Sequence, residues 1–170
     1  DEALYNKQIG YYMKNNPFKN NRDYITSPNI SILFSEMLAI WIISFWQNLK
    51  SPKKFNLIEL GAGNGEMMRQ ILSTFNNFPD FKKSCKINIL EKSDHLKNVQ
   101  KKILKHKNIK WLKNLHEIKN LPCIFIANEF FDALPIKQFI KIKKKWFERS
   151  VIFKKKNNPQ FINIRTNIKT

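Results

Sequence analysis

The segment LIELGAGNG, residues 57–65, constrains the fold of this chain more than any other. Its apolar first half predicts a buried strand, and residues 66–75 predict a helix directly after the glycines. Gly61, Gly63 and Gly65 allow backbone conformations and close approaches that a Cβ would prevent. A strand, a glycine turn and the amino-terminal end of a helix together favour a site for a small molecule with an anionic or polar group.

The glycine spacing separates the known kinds of nucleotide-binding turn. The dinucleotide fingerprint requires its third glycine where Glu66 stands, and an acid there argues against a nicotinamide-dependent oxidoreductase. The phosphate loop, G-x-x-x-x-G-K-[ST], has no match here. The pattern G-x-G-x-G after Glu59 resembles motif I of the class I S-adenosylmethionine-dependent methyltransferases. For the turn alone, an ordinary connection between strand and helix is the alternative.

A second apolar strand, residues 86–91, ends in Glu91. An acid in this position accepts hydrogen bonds from ribose hydroxyls in nucleoside-binding sheets. The alternative is a solvated carboxylate at a strand end. Between the two strands, residues 76–80 predict a loop that lengthens the connection.

The formal net charge of +18 raises the question of a nucleic-acid partner. Four arginines stand among 31 basic residues, although arginine is the residue that grips phosphate bidentately. The lysines are spread over residues 97–156 and are not set among aromatic side chains as a stacking platform. We therefore favour a solvated lysine-rich surface and expect no nucleic-acid partner.

Other classes of protein are disfavoured by single features. The longest apolar stretch, residues 32–46, is shorter than the roughly 20 residues of a membrane span and predicts a core-facing helix. No secretory signal pattern stands at the start of the chain. Cys85 and Cys123 form no C-x-x-C pair, which indicates buried thiols and a reducing compartment. The three histidines lack the spacing of metal ligands, so we expect no metal.

The rest of the chain alternates helical and extended patterns. Further helices are predicted over residues 1–12, 27–49 and 95–105, a loop over 15–23, and strands over 55–60, 109–112 and 122–127. Ser27 would cap its helix, with Pro28 in the first helical position. The alternation predicts a parallel sheet, buried on both faces at the last strand, with ligand sites at the strand carboxyl ends.

The last part of the chain follows a different pattern. Residues 137–143 and 146–153 alternate apolar and polar side chains, which predicts a hairpin half exposed to water. Residues 157–159 predict a turn, and residues 161–165 predict a further strand.

The segment IANEFFDALP, residues 126–135, follows the fourth strand of the predicted sheet. It brings Asn128, Glu129 and Asp132 to the sheet edge where the glycine turn and Glu91 also lie. Two acids and an amide are costly to bury in part without partners, and a cationic or polar substrate would supply them. The alternative is a capped connection in which Asp132 begins a helix.

The string NEFFDALP, residues 128–135, resembles the signature of the S-adenosylmethionine-dependent methyltransferases related to the mitochondrial complex I assembly protein arginine methyltransferase. Residues 11–12, 23–31 and 34–36 resemble the amino-terminal motif of that family, and residues 57–65 resemble its cofactor turn. The resemblance runs from about residue 10 to residue 151. The family usually has Glu at the position of Asn29, Gly at that of Ser35, and Pro-Gly-Arg-Gly at residues 62–65.

This resemblance implies an α/β, Rossmann-like class I methyltransferase fold, with helices on both faces of a parallel sheet and an inserted β-hairpin. Residues 1–50 would form an amino-terminal helical cap over the site. Residues 51–136 would form the cofactor-binding core with strands one to four, and residues 137–170 the inserted hairpin region. Because family members are longer, the chain would hold the amino-terminal part of the domain, without its carboxyl-terminal remainder.

The resemblance also implies S-adenosyl-L-methionine as the cofactor. Its contacts would be Glu59, Gly61, Gly63, Gly65, Glu91, Thr26, Ser27 and Glu36. The glycines would approach the methionine part, Glu59 would orient the turn or accept from the ammonium, and Glu91 would bind the ribose. Thr26, Ser27 and Glu36 would close the site from the amino-terminal side.

The catalytic residues would be Glu129, Asp132 and Asn128. The two acids would hold a guanidinium bidentately, and Asn128 would orient either group. Phe130 and Phe131 would help to exclude water.

The implied reaction is methyl transfer to a protein arginine in respiratory complex I assembly, with a complex I subunit as the candidate partner. The compartment would be the cytoplasm in a bacterium and the mitochondrial matrix in a eukaryote. A non-catalytic assembly factor that retains the fold and an RNA-modifying methyltransferase are the alternatives.

Overall fold

The computed structural model describes residues 4, 6–14, 26–105, 108–154 and 158–166. The chain divides into two compact units, and the boundary along the sequence falls between Ala133 and Leu134. Two short 3₁₀ helices, Leu115–Glu117 and Phe131–Ala133, lie in the first unit. Its α-helices and strands are α1 (Tyr11–Lys14), α2 (Ser27–Ile30), α3 (Ile32–Asn48), β1 (Phe55–Leu60), α4 (Glu66–Phe75), α5 (Pro79–Ser84), β2 (Cys85–Leu90), α6 (Asp94–Leu104), β3 (Ile109–Leu112) and β4 (Cys123–Ile126).

The four strands form one parallel sheet in the order β3-β2-β1-β4. In the centre, Leu57 of β1 pairs with Ile87 of β2 on one side and with Ile124 of β4 on the other. The parallel sheet and the alternation of strands with helices confirm the fold class predicted from the sequence. The carboxyl ends of β1, β2 and β4 therefore lie at one edge of the sheet.

The main hydrophobic core lies on one face of this sheet. Leu57 and Ile89 point to this face, where Ile42 of α3 and Ile71 of α4 pack against them. The alternate residues of the strands face the other side, where Ile58, Leu60 and Leu112 form a smaller cluster. This cluster is flanked by Ile118, from the connection between β3 and β4, and by Phe130.

The helix predicted over residues 27–49 is wrong as a continuous element. Ser31 has extended backbone angles, φ −145° and ψ 128°, and its Oγ accepts a hydrogen bond from the backbone N–H of Leu33 at 3.3 Å. Ser31 therefore begins a second helix, α3, immediately after the four residues of α2. Thr26 stands at the N-cap position of α2, so Ser27 is the first helical residue and not the cap.

Two other local predictions need correction. Residues 7–9 form a turn because the Asn6 side chain accepts from the backbone N–H groups of Gln8 and Ile9, so the predicted helix over residues 1–12 is wrong there. Residues 1–3 and 5, and the predicted loop over 15–23, lie outside the described residues. The predicted loop over 76–80 gives way at Pro79 to α5, because burial of Phe81 against the main core favours a helix there.

Strand β4 is less buried than predicted. It lies at the edge of the described sheet, and its Phe125 side chain is 49% exposed on the face opposite the main core. Cys123 on the same face is also exposed, which contradicts the prediction of a buried thiol. Cys85 is half-buried, and burial raises the pKa of its thiol.

The second unit contains β5 (Gln138–Ile142), β6 (Lys145–Lys154) and β7 (Asn158–Arg165), paired antiparallel in that order. The predicted hairpin and the additional strand are confirmed. The predicted turn at 157–159 is wrong for Asn158 and Pro159, which pair with β6, and Asn157 lies outside the described residues. No helix in the described ranges has both the length and the apolar character to cross a bilayer.

Candidate functional site

A cavity of about 290 Å³ opens at the carboxyl ends of β1 and β4, within the first unit. The predicted site residues in its lining are Thr26, Glu59, Gly61, Gly63, Asn128, Glu129 and Asp132. The other lining residues are Leu4, Tyr12, Pro28, Ala62, Asn64, Met67 and Ala133. Four predicted residues are outside this lining: Ser27, Glu36, Gly65 and Glu91.

The glycine turn has a left-handed backbone. Gly61, Gly63 and Gly65 have φ values of +66°, +54° and +87°. Gly65 precedes the first residue of α4, and the side-chain oxygen of Asn64 accepts from the backbone N–H of Glu66 at 3.0 Å. A Cβ on Gly61 would lie 2.6 Å from Cδ2 of Phe130. The absent side chain at Gly61 therefore makes room for a neighbouring ring as well as for a turn.

Glu59 is the most unusual group in the cavity wall. It lies near the end of the central strand and is 2% exposed, and its Oε2 has no hydrogen-bond partner among the described residues. Burial, together with repulsion from Glu91, raises the pKa of Glu59 to about 8. A buried carboxyl oxygen without a partner is costly unless a bound group satisfies it. Glu59 therefore marks a place for a donor, and a cationic donor would also bring its carboxyl to the charged form.

Glu91, just past the end of β2, is buried and held by hydrogen bonds to both oxygens. Its Oε1 accepts from the backbone N–H of Ser93 at 2.9 Å, and its Oε2 accepts from the side-chain amide of Gln100 at 3.1 Å. Burial raises the pKa of Glu91, although these hydrogen bonds oppose the shift. The alternative of a solvated carboxylate at a strand end is therefore wrong.

Ser93 connects Glu91 to the amino-terminal wall of the cavity. Its Oγ donates to the backbone carbonyl of Tyr12 at 2.6 Å and accepts from the backbone N–H of Leu96, which caps α6. Tyr12 lines the cavity. The same serine thus orients an acid, begins a helix and positions one wall.

The segment after β4 presents its polar side chains to the other side of the cavity. Asn128 is half-buried, and Glu129 and Asp132 are exposed. Glu129 has a φ of +47°, a left-handed conformation that is uncommon for a residue with a long side chain. Phe130 packs on the smaller core cluster, whereas Phe131 is 67% exposed. Strain of this kind in a cavity wall is frequent at functional sites.

The amino-terminal side of the cavity is formed by the start of α2. Thr26 and Pro28 line it, and the carbonyl of Pro28 accepts from the side-chain amide of Gln70 at 3.1 Å. Ser27 and Glu36 are half-buried on α2 and α3.

Sequence reasoning missed the polar residues behind the cavity wall, above all Gln100. The available signal was its spacing, because Leu96, Gln100 and Leu104 lie four residues apart and form the buried stripe of α6. A glutamine in such a stripe needs buried partners.

Comparison with known proteins identifies the family. Residues 37–169 match the family described as "Putative S-adenosyl-L-methionine-dependent methyltransferase". The chain is 35% identical to the mitochondrial protein arginine methyltransferase NDUFAF7 of Xenopus laevis, and 32% identical to the human protein of that name. In each case the match covers 86% of this chain and 39% of the relative.

The fold has a counterpart among solved structures. A superfamily member from Burkholderia thailandensis, solved with S-adenosyl-homocysteine bound, superimposes with a TM-score of 0.73 at 23% identity. The match covers 98% of this chain and 44% of that protein. The chain thus belongs to this family of S-adenosylmethionine-dependent methyltransferases, and it spans about two fifths of the length of the curated relatives it matches.

Proposed function

We propose that the chain binds S-adenosyl-L-methionine in the cavity at the sheet edge and contributes to methyl transfer onto a protein arginine. The single observation that carries the proposal is the buried carboxyl of Glu59, a residue of the cavity wall whose Oε2 has no hydrogen-bond partner among the described residues. The α-ammonium of the cofactor is a cationic donor of the kind that this oxygen lacks. S-adenosylmethionine would supply the methyl group as an electrophile on its sulfonium.

The residues around the cavity fit the other parts of this ligand. The left-handed turn at Gly61 and Gly63 would let the backbone approach the methionine part. Glu91, just past the end of the next strand and outside the lining, would accept from the ribose hydroxyls in addition to its bonds with Ser93 and Gln100. Thr26 would close the cavity from the amino-terminal side. Gly65 would support the turn, and Ser27 and Glu36 would support that wall from outside the lining.

Glu129, Asp132 and Asn128 would hold the acceptor. A guanidinium is a weak nucleophile because its nitrogen lone pair is delocalised. Carboxylates that bind two of its nitrogens hold the positive charge on those two, so that the lone pair of the third nitrogen is more available for the methyl group. Glu129 and Asp132 lie in one cavity wall with accessible side chains, as an incoming protein side chain requires. Either carboxylate would take up the proton released after transfer, and Asn128 would orient the pair.

The names of the relatives support arginine as the acceptor and the mitochondrion as the compartment in a eukaryote. The resemblance stated above supports a complex I subunit as the substrate. Because the chain spans 39% of these relatives, we assign the complete reaction to the whole protein and cofactor binding to this part.

Methyl transfer from labelled S-adenosylmethionine to matched peptides with one arginine or one lysine, and to RNA, tests the proposal. We expect label only on the arginine peptide. Glu129→Gln and Asp132→Asn should each reduce transfer about a hundredfold, as for loss of an acid–base group. Asp80→Asn changes an exposed carboxylate on α5, outside the cavity, and is the matched control.

Label on lysine or RNA would contradict the arginine assignment. Cofactor binding without transfer to any acceptor, in this chain and in the longer protein, would support the non-catalytic assembly factor.

A further inference from the structure

The fully buried amide of Gln100 lies between two parts of the site that the sequence places 28 residues apart. Its Nε2 donates to the carbonyl of Gly63 at 2.9 Å and to Oε2 of Glu91 at 3.1 Å. Its Oε1 accepts from the indole N–H of Trp111 at 2.9 Å. One side chain of α6 thus joins the glycine turn, the acid after β2 and strand β3.

We infer that Gln100 is a positioning residue that holds the Gly63 carbonyl and the Glu91 carboxylate in fixed register, so that one ligand can contact the turn and the acid together. This inference rests on the proposed binding of S-adenosylmethionine. Gln100 is absent from the cavity lining, so it acts through Gly63 and Glu91.

The three partners admit only one orientation of the amide. The indole N–H of Trp111 can only donate, and the carbonyl of Gly63 can only accept. A reversed amide would place its oxygen against the Gly63 carbonyl and its NH₂ group against the indole. Trp111 therefore selects the orientation in which both N–H groups of Gln100 point to the binding site.

This orientation has a direct consequence for the turn. The peptide that follows Gly63 is planar and trans, so its N–H points opposite to its carbonyl. Because Gln100 fixes the carbonyl, it also fixes the N–H of Asn64 on the side of the turn that faces away from Gln100. Glycine at position 63, with φ +54°, offers little resistance of its own to a change in that peptide.

Gln100 also helps to orient the carboxylate of Glu91. Ser93 holds Oε1 through its backbone N–H, and Gln100 holds Oε2. With the Gln100 bond lost, the backbone N–H groups of Ser93 and Lys92 would still hold the carboxylate, but its Oε2 would lose the side-chain partner that sets its direction towards the ribose hydroxyls. We therefore expect Gln100 and Glu91 to act as one unit in ligand binding.

The ligand arm of the test uses S-adenosylhomocysteine and titration calorimetry. Gln100→Met keeps a side chain of similar length without the hydrogen bonds, and we expect it to weaken affinity about tenfold, the effect of losing buried bonds near the ligand. In a Glu91→Gln background the same change should have a smaller effect, about threefold, because the part that runs through Glu91 has been removed and only the part that runs through the Gly63 carbonyl remains. Trp111→Phe, which keeps a ring but removes the donor, should reproduce part of the loss.

Asn88→Leu is the matched control for a buried amide. Asn88 donates to Oδ1 of Asn56 at 3.3 Å inside the sheet, and neither residue lines the cavity. We expect it to lower thermal stability at least as much as Gln100→Met while it leaves affinity within about twofold of the parent.

A ligand-free arm separates this inference from the proposed function. Hydrogen exchange of the backbone amides in residues 61–65 should accelerate in Gln100→Met and stay at the parent rate in Asn88→Leu. If the parent fails to bind the ligand while the turn still loosens, the cofactor proposal is wrong and the positioning role stands. Unchanged exchange, or an equal loss of affinity in the parent and Glu91→Gln backgrounds, overturns the positioning role.

Discussion

The side-chain amide of Asn64 donates to Oδ1 of Asn29 over 3.3 Å and so joins the glycine turn to helix α2. Asn29 in turn donates to Oγ1 of Thr26 at 2.9 Å. Thr26 and Asn64 both line the cavity, so these bonds hold its amino-terminal wall against the turn. The family usually has Glu and Arg at positions 29 and 64, and this chain keeps a contact there without a pair of charges.

We expect Asn29→Ala to weaken S-adenosylhomocysteine binding roughly threefold to tenfold, because a hydrogen bond contributes about 0.5–1.5 kcal/mol. Asn64→Ala should cost more, since it also removes the acceptor for the N–H of Glu66 at the start of α4. Calorimetric titration of the two variants and their double mutant measures the coupling. Fully additive losses would show that the two asparagines act separately.

Glu59 predicts how stability depends on pH. Its pKa is raised from 4.5 to about 8 in the folded chain, so between these values the native state holds a proton that the unfolded chain has released. The contribution of Glu59 to stability is therefore fully present below the lower value and is lost as pH rises towards the upper one, by up to about 1.4 kcal/mol per pH unit. Glu91, also raised, changes stability in the same direction.

Urea unfolding across this window measures the effect. In Glu59→Gln, the free energy of unfolding should lose the part of its pH dependence that is due to Glu59. The free energy of unfolding of the variant should therefore rise relative to that of the parent as pH increases. Asp80→Asn is the control for removal of an exposed carboxylate. Parallel stability curves for the parent and Glu59→Gln would contradict a buried, unpaired carboxyl at this position.

Glu129 predicts opposite effects on stability and activity. Its left-handed φ of +47° costs a residue with a Cβ about 1–2 kcal/mol, and glycine avoids this cost at an entropic penalty of about 0.5–1 kcal/mol. Glu129→Gly should therefore stabilise the fold by up to about 1 kcal/mol, whereas Glu129→Ala, which keeps the Cβ, should not. Both changes should reduce arginine methylation in the whole protein about a hundredfold, as for Glu129→Gln. A Glu129→Gly variant that stays active would rule out the acceptor role of this carboxylate.

Gly61 and Phe130 form a steric pair. A methyl group on Gly61 would meet the Phe130 ring at 2.6 Å in a backbone with φ +66°, so we expect Gly61→Ala to destabilise the fold by about 1–3 kcal/mol. Chemical denaturation should show a smaller cost in a Phe130→Leu background, where only the backbone strain remains. Equal costs in both backgrounds would mean that the ring moves away freely.

The sheet was predictable because its signals are local in the sequence. The apolar runs that become β1 and β2 each end at an acid, and the glycine turn between β1 and α4 leaves few alternatives. The break at Ser31 was not predictable in the same way, because residues 32–46 are apolar except for Ser35, Glu36 and Ser44, and no periodicity marks where the helix begins. A serine that caps α3 with its own side chain decided the boundary.

The candidate site was predictable in part for a similar reason. Glu59, Glu129 and Asp132 follow from strand ends and from one specific motif, and all three line the cavity. Gln100 and Trp111 could not be predicted from such local signals, because their role depends on contacts between α6, β3 and the turn that only the folded chain creates. The Gly61–Phe130 contact joins distant segments in the same way.

Calorimetric titration of S-adenosylmethionine into this chain and into Gly63→Arg tests the central claim most directly. An arginine at Gly63, in the cavity wall and at φ +54°, would fill the space for the ligand and strain the turn. We predict one-to-one binding to the parent and none to the variant, with Asp80→Asn binding like the parent. Equal binding to the parent and to a folded Gly63→Arg variant, or no binding to the folded parent, would contradict a cofactor site at the glycine turn of this chain.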